Sequence, residues 1–268
     1  MSLRIQTNVE AVNAHRRLLD SSGKLSKSME RLASGYRINR AADDAAGLAI
    51  SENLRGQVKG LAQAQRNTLD AVSMVQVGEA ALVEVHTMLQ RVRELAVQFK
   101  NGSLSTEDRA AITSEVNQLA SEIERIGSDS EFNQIKMLNS TGRVTFQVGA
   151  DDGQTIAVST VSLGQTIGTA GYSLTASGAA DISEIDAAIT AVSTVRAQLG
   201  AVQNRLDHTL ASAATYEENL TAAESRIRDA DMAKEMTHFT KWQILQQAGT
   251  AMLAQANQSN QAVLQLLQ

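Results

Sequence analysis

The C-terminal segment of the chain, Trp242 to Gln268, contains no Asp, Glu, Lys or Arg, although roughly every third residue there is Gln or Asn. So many amides are incompatible with a membrane-spanning helix, and a helix facing water normally carries charges on its solvent side. The segment is therefore predicted to be a helix that other protein surrounds on most sides. Its apolar residues recur at helical steps: Leu245, Ala248, Met252, Ala256, Val263 and Leu267.

The energetics of this tail indicate assembly. Burying about six apolar side chains returns roughly 10 kcal/mol, whereas fixing about 27 residues costs at least as much at about 1–2 kcal/mol each. The tail is therefore predicted to be disordered in an isolated monomer and to order only where several neighbours bury it, as in a polymer. The alternative is a C-terminal helix that docks onto its own domain.

Composition narrows the class of protein further. The 268 residues include 3% aromatics, no Pro and no Cys, which favours long helices packed side by side and excludes disulfides and thiolate metal sites. A net charge of -5 disfavours nucleic-acid binding. The first residues lack the apolar stretch of a secretory signal peptide, so an exported chain would leave by a route that removes no such signal.

Apolar stripes predict helices at both ends of the chain. The first helix is expected to end at Ser34-Gly35, and Asp43 or Asp44 to cap a second that runs to about Lys100. Ser105 to Asp108 reads as the capping box of a third helix. The first stripe consists of Ile5, Val9, Val12, Leu19, Leu25, Met29 and Leu32.

The middle of the chain changes to alternating apolar and polar residues. Val144 to Val148 and Ile156 to Val158, with Asp151-Asp152-Gly153 between them, predict a β-hairpin. A further long helix is expected to be capped by Ser183 to Asp186. The fold is predicted to be mainly α: an elongated rod of long antiparallel helices with a small β-hairpin insert, its terminal helices paired as a coiled coil.

These patterns divide the chain into four segments. Residues 1–43 hold the N-terminal helix and a connecting loop, and residues 44–182 hold the first helices of the rod and the hairpin. Residues 183–232 form the last helix of the rod, and residues 233–268 the C-terminal helix.

The sequence offers no catalytic site, cofactor site or metal site. His15, His86, His208 and His238 are far apart and belong to no ligand motif, and phosphate-binding loops and nucleophile elbows are missing. Carboxylates lie between the apolar positions of the helices, which predicts that they are on the solvent-exposed faces. A structural protein, not an enzyme, is predicted.

Two runs carry a family resemblance. The residues from Arg31 to Ser51 and from Leu89 to Gln98 strongly resemble the N-terminal signatures of bacterial flagellins, and the C-terminal run from Ala223 is also similar to the family. Within the first run, a connecting-loop signature consists of Arg37, Asn39, Asp43, Asp44 and Gly47.

The resemblance implies an extracellular structural subunit that polymerises with itself into the flagellar filament for swimming motility. It implies export in an unfolded state, assembly at the distal tip, and an export chaperone, cap and hook-associated proteins as partners. Only about 40 residues separate the hairpin's start from the next helix, so the variable outer domain of most flagellins is missing. The expected polymer core comprises Ile5, Val9, Val12, Leu245, Met252, Val263 and Leu267.

The family also implies recognition by vertebrate Toll-like receptor five through Arg91, Leu95 and Glu115, although this face could equally pack between subunits. A hook–filament junction protein shares the terminal helices and is the nearest alternative. A cytosolic coiled-coil adaptor is a more distant one, because it gives no account of the uncharged tail.

Overall fold

The computed structural model describes residues 8–164 and 181–265, and long helices dominate them, which confirms the mainly α prediction. The helices are α1 (Val9–Ser34), α2 (Ala45–Phe99), α3 (Thr106–Asp129), α4 (Asp181–Arg228) and α5 (Met232–Gln265). The strands are β1 (Glu131–Phe132), β2 (Ile135–Lys136), β3 (Gly142–Gln147) and β4 (Thr155–Thr160). The chain forms two compact units, one of residues 1–56 with 220–268 and one of residues 57–219.

Three helix ends follow the chemistry expected from the sequence. Gly35 ends α1 with φ at 75° and donates its N–H to the Arg31 carbonyl at 2.9 Å. Asp44 precedes α2, and its Oδ1 accepts the N–H of Gly47 at 2.9 Å. Ser105 and Asp108 form a reciprocal capping box at the start of α3.

The predicted start of the fourth helix is wrong. Helix α4 already begins at Asp181, so Ser183 to Asp186 lie inside its first turns and do not cap it. Ile185 is buried there, so the buried face of α4 already begins within these residues. The carboxylate of Asp186 accepts a 2.6 Å hydrogen bond from Nε of Arg93 on α2.

The core of the 57–219 unit lies among α2, α3, α4 and the β3–β4 hairpin. The hairpin is antiparallel, as predicted, and pairs Val144 with Val158 and Phe146 with Ile156. Asn67 on α2 donates Nδ2–H to the carbonyl of Gln147 at 3.0 Å, which fixes the hairpin on the helix. The fully buried side chains include Met74, Leu82, Leu89, Val158, Val192 and Leu206.

A second, smaller hairpin of β1 and β2 escaped the sequence analysis. Asn133 and Gln134 form its turn with φ at 49° and 66°, a region that most side chains disfavour. Two-residue hairpin turns of this kind usually contain Gly, so the sequence signal was missing.

Adjacent positions on α2 test the core. Leu82→Ala should lower the free energy of unfolding by about 3 kcal/mol, because Leu82 is 1% exposed and a cavity would remain. Val83→Ala, at a position that is 39% exposed, should change it by less than about 0.5 kcal/mol. Urea denaturation of the two proteins measures the difference; equal losses would contradict this assignment of the core.

Candidate interaction surfaces

Helices α1 and α5 pack along each other within the first unit. The seam residues recur at alternating steps of three and four, the spacing of a coiled coil. On α1 they are Ala11, Ala14, Leu18, Ser21, Leu25, Ser28 and Leu32, and on α5 they are Trp242, Gln246, Gly249, Leu253 and Ala256. This pairing confirms the predicted association of the terminal helices.

Small residues let the two helices approach closely. A Cβ added at Gly249 would lie 3.2 Å from Cδ1 of Leu18, so a side chain there would require Leu18 to shift by a few tenths of an ångström. The N-cap residue Asn8 uses both ends of its amide: Oδ1 accepts the N–H of Ala11, and Nδ2 donates to the Ala256 carbonyl, both at 2.9 Å. These contacts fix the register of the pair.

The predicted apolar stripes contribute only part of this seam, which corrects the expected helix faces. Leu25 and Leu32 lie in the seam, whereas Val12 is 63% and Leu19 61% exposed on α1, and Val9 and Met29 are exposed with them. On α5, Leu245, Ala248 and Met252 are exposed, and of the described stripe only Ala256 is buried. Ile5, Leu267 and the side chain of Val263 lie outside the described part of the chain.

A groove of about 770 Å³ runs along one side of the α1–α5 pair. Trp242, Leu245 and Met252 line it from α5, and Leu18 lines it from α1. Its charged lining comes from Glu10, Arg17 and Asp20 on α1. Asp20 is paired with Lys24 at 2.8 Å, and the ammonium groups of Lys24 and Lys241 lie 4.8 and 5.2 Å from the centre of the Trp242 ring.

The connecting-loop signature is organised around the carboxylate of Asp43. Its Oδ2 accepts the backbone N–H groups of Asn39 and Arg40 at 3.2 Å, and its Oδ1 lies 2.5 Å from Nζ of Lys27 on α1. The hydrogen bond from Lys27, helped by the two backbone N–H groups, holds the pKa of Asp43 below its usual value. The loop is thereby tied to α1.

The same loop is joined to the segment between α4 and α5. Arg37 donates its backbone N–H to the Arg228 carbonyl at 2.7 Å and its Nη2–H to the Ile227 carbonyl at 2.5 Å. The guanidinium of Arg228 lies 4.9 Å from the centre of the Tyr36 ring and 2.6 Å from Oε1 of Glu52. Tyr36 belongs to the signature run, but no nearby residue in the sequence indicates that it contacts Arg228, which lies far along the chain.

Gly47 is required by crowding at the start of α2. A Cβ there would lie 2.5 Å from Oδ2 of Asp44 and 2.9 Å from Cδ1 of Ile38, which is itself buried. Arg37, Asn39, Asp43, Asp44 and Gly47 thus all take part in one loop structure, by backbone contacts, hydrogen bonds or close packing.

The residues expected to bind a receptor are only partly brought to one surface. Arg91 on α2 donates Nε–H and Nη2–H to Oε1 of Glu115 on α3 at 3.1 and 3.0 Å, and both side chains are about half exposed. These bonds, with one to Glu94, raise the pKa of Arg91. Leu95 is 2% exposed and packs in the core beside them, so its placement on the contact face is corrected.

Within residues 8–164 and 181–265, no group of three or more His, Asp or Glu side chains could hold a metal ion. In the same ranges no helix is long and apolar enough to cross a membrane.

Comparison with known proteins identifies the family. Residues 5–143 match the family model of the bacterial flagellin N-terminal helical region, and residues 182–267 match that of the C-terminal helical region. The chain belongs to the bacterial flagellin family. Flagellin of Halalkalibacterium halodurans is 51% identical over 98% of this chain and 99% of its own, and flagellin of Bacillus subtilis is 45% identical over 99% and 100%.

A solved structure agrees with this assignment. The crystal structure of Bacillus cereus flagellin has a TM-score of 0.52 and 31% identity, and the match covers 55% of this chain and 88% of that one. Family membership confirms the predicted filament subunit, a structural protein and not an enzyme. The full-length relatives favour the filament subunit over the junction protein and the adaptor.

The Asp43 contacts predict a pH dependence. Because the folded-state pKa of Asp43 is lowered, its contribution to stability is present above about pH 4 and is lost as the pH falls through the folded-state pKa. Asp43→Asn should therefore destabilise filaments at pH 7 by under about 1 kcal/mol, which lowers their melting temperature. Near pH 2.5 the substitution should lower the melting temperature less. Circular dichroism measures the melting temperature at each pH.

The matched control is Asp129→Asn, which removes an exposed ion pair with Arg125 on α3, outside the loop and the terminal helices. Its filaments should melt as wild type does. An Asp43→Asn effect that stayed constant from pH 7 to pH 2.5 would contradict the role given to the carboxylate.

Proposed function

We propose that the α1–α5 pair is the surface through which this flagellin polymerises. The observation that carries the proposal is the exposure of large apolar side chains on both helices, although the pair is already formed within one chain. Val9, Val12, Leu245 and Met252 are four of the expected polymer-core residues, and all are exposed. Burying them between subunits stabilises folded ends and polymer together.

The amide-rich character of α5 supports the same role. Gln and Asn side chains can form hydrogen bonds between subunits without the desolvation cost of buried charges. We assign residues 1–43 and 233–268 to the inner core of the filament. Residues 44–182 and 183–232 then form the surrounding rod domain, held by the core among α2, α3 and α4.

We further propose that the chain is exported largely unfolded and adds at the distal tip of the flagellum. The absence of Cys means that no disulfide must be broken or formed on the way. Terminal helices that gain much of their stability from assembly are suited to passage through a narrow conduit. An export chaperone, a cap and hook-associated proteins are the expected partners, and the route removes no signal peptide.

Removal of the tail tests the proposal. Purified full-length protein should form micrometre-long filaments by electron microscopy, whereas a chain lacking Trp242 to Gln268 should form none, because half of the polymerising pair is gone. The truncated chain should keep the cooperative unfolding of the 57–219 unit, which controls for misfolding. Filaments from the truncated chain would refute the proposal, and a single ring or cap in place of filaments would indicate a junction protein.

A second proposed partner is Toll-like receptor five, through Arg91 and Glu115. Both side chains are accessible on one face of α2 and α3, and the pair presents both signs of charge. The buried Leu95 is left to support this face from within the core. The same face could also pack between subunits, so monomer is the form to test.

Alanine substitutions distinguish a loss of receptor binding from a loss of structure. Arg91→Ala and Glu115→Ala should each raise the monomer concentration needed for half-maximal response of receptor reporter cells by roughly tenfold, since a charged contact is lost. Arg125→Ala is the matched control, because it removes an exposed arginine that pairs only with its own helix. Wild-type monomer that leaves the reporter cells silent would remove this proposal.

A further inference from the structure

The outward face of α1 has a defined composition. Val9, Val12, Arg16 and Leu19 recur at steps of three and four, so they lie on one face, which we call the α1 ridge. At about 100° per residue this face lies opposite Ala14, Leu18 and the rest of the seam with α5. The chain therefore carries an apolar ridge interrupted by one arginine, exposed on the side of α1 away from the seam with α5.

The groove described above lies on a different side of the same helix pair. No residue of the ridge lines it, and both surfaces belong to the terminal unit. The groove cannot receive the ridge of its own chain, because that ridge projects from the same helix in another direction. The ridge of a second copy meets no such restriction.

From these placements we propose that the α1 ridge of one copy docks into the α1–α5 groove of the next. The inference rests on the proposed polymerisation and specifies which surfaces meet. Ridge and groove differ, so the contact is head-to-tail, and each added copy presents a new groove or a new ridge. Such heterologous contacts build open helical polymers, whereas a ridge meeting its own equivalent would close a dimer.

The dimensions of the two surfaces agree. The ridge spans from Val9 to Leu19, about 15 Å of helix, and the groove spans from Trp242 to Ala256, about 21 Å. The groove therefore accommodates the whole ridge, with the apolar Trp242, Leu245 and Met252 available to the valines and Leu19.

The charges agree as well. The groove contributes Glu10, Asp20 and Arg17, of which Asp20 is already paired with Lys24. In the part of the chain that the structure describes, Glu10 has no ion pair, and Arg16 on the ridge bonds only the amide of Asn13, at 2.9 Å. The ridge thus brings an arginine to a groove that has a carboxylate available.

Cross-linking tests the contact directly, since the chain has no native Cys. One protein carries Val12→Cys on the ridge and another carries Met252→Cys in the groove. Assembled as an equal mixture and treated with a short bis-maleimide, they should give cross-linked heterodimers, while each protein alone gives few. Homodimers from Val12→Cys alone would instead show a ridge-to-ridge contact and overturn the proposal.

The matched control replaces Met252→Cys by Gln247→Cys, which lies on α5 away from the groove and is equally exposed. Filaments in which the Met252 mixture cross-links no more than the Gln247 mixture would refute the ridge-and-groove contact. They would leave polymerisation by the terminal helices standing, since filaments had formed. Failure of wild-type protein to form filaments would instead refute the proposed function.

A second pair of variants does not depend on cross-linking geometry. Met252→Lys should raise the critical concentration for assembly by tenfold or more, because a charge replaces an apolar side chain that the contact buries. Thr240→Lys, at an exposed position of α5 outside the groove and before the amide-rich tail, should leave it unchanged. Both positions are exposed in a single chain, so neither substitution disturbs the α1–α5 seam. Equal critical concentrations for the two variants would overturn the proposal.

Discussion

The packing of α1 against α5 determines which side chains of the terminal unit are buried and which are exposed. The seam alternates small residues such as Ala14 and Gly249 with larger ones such as Leu18, and a Cβ at Gly249 would lie only 3.2 Å from the Leu18 side chain. Val12, Leu245 and Met252 stay outside the seam and are exposed. The pair therefore forms within one chain, contrary to the disorder predicted for an isolated tail, and still exposes apolar surface that a polymer would bury.

The connecting loop complements this pair. Asp43 ties the loop to Lys27 of α1, and the segment from Gly35 to Arg37 is bonded to residues 227–230 at the end of α4 and just after it. The loop that follows α1 and the segment that precedes α5 are thus joined by hydrogen bonds where the chain leaves and re-enters the terminal helices. The role of the signature residues is accordingly structural, as their contacts are nearly all backbone bonds, caps and ion pairs.

Much of the fold could be predicted because its signals are local. A pattern of only a few residues predicts each of three features: the end of α1 at Gly35, the capping box at Ser105, and the alternating strands β3 and β4. The start of α4 and the β1–β2 turn could not be predicted as readily. At the start of α4, Ser183 to Asp186 resemble a cap, but Ile185 is buried within the helix. In the β1–β2 turn, Asn133 and Gln134 adopt positive φ although neither is a glycine.

The sequence by itself determined that long helices form, that the tail contains no charge, and that the chain resembles flagellins, because periodicity and composition are properties of the chain alone. Tertiary structure decided which face of each terminal helix is used. Val12 and Met252 belong to the predicted hydrophobic stripes, yet both are exposed, and Leu18 and Gly249 lie in the α1–α5 seam instead. Likewise Arg91, Leu95 and Glu115 are equally visible in the sequence, and only the packing of α2 against α3 separates a buried leucine from an exposed ion pair.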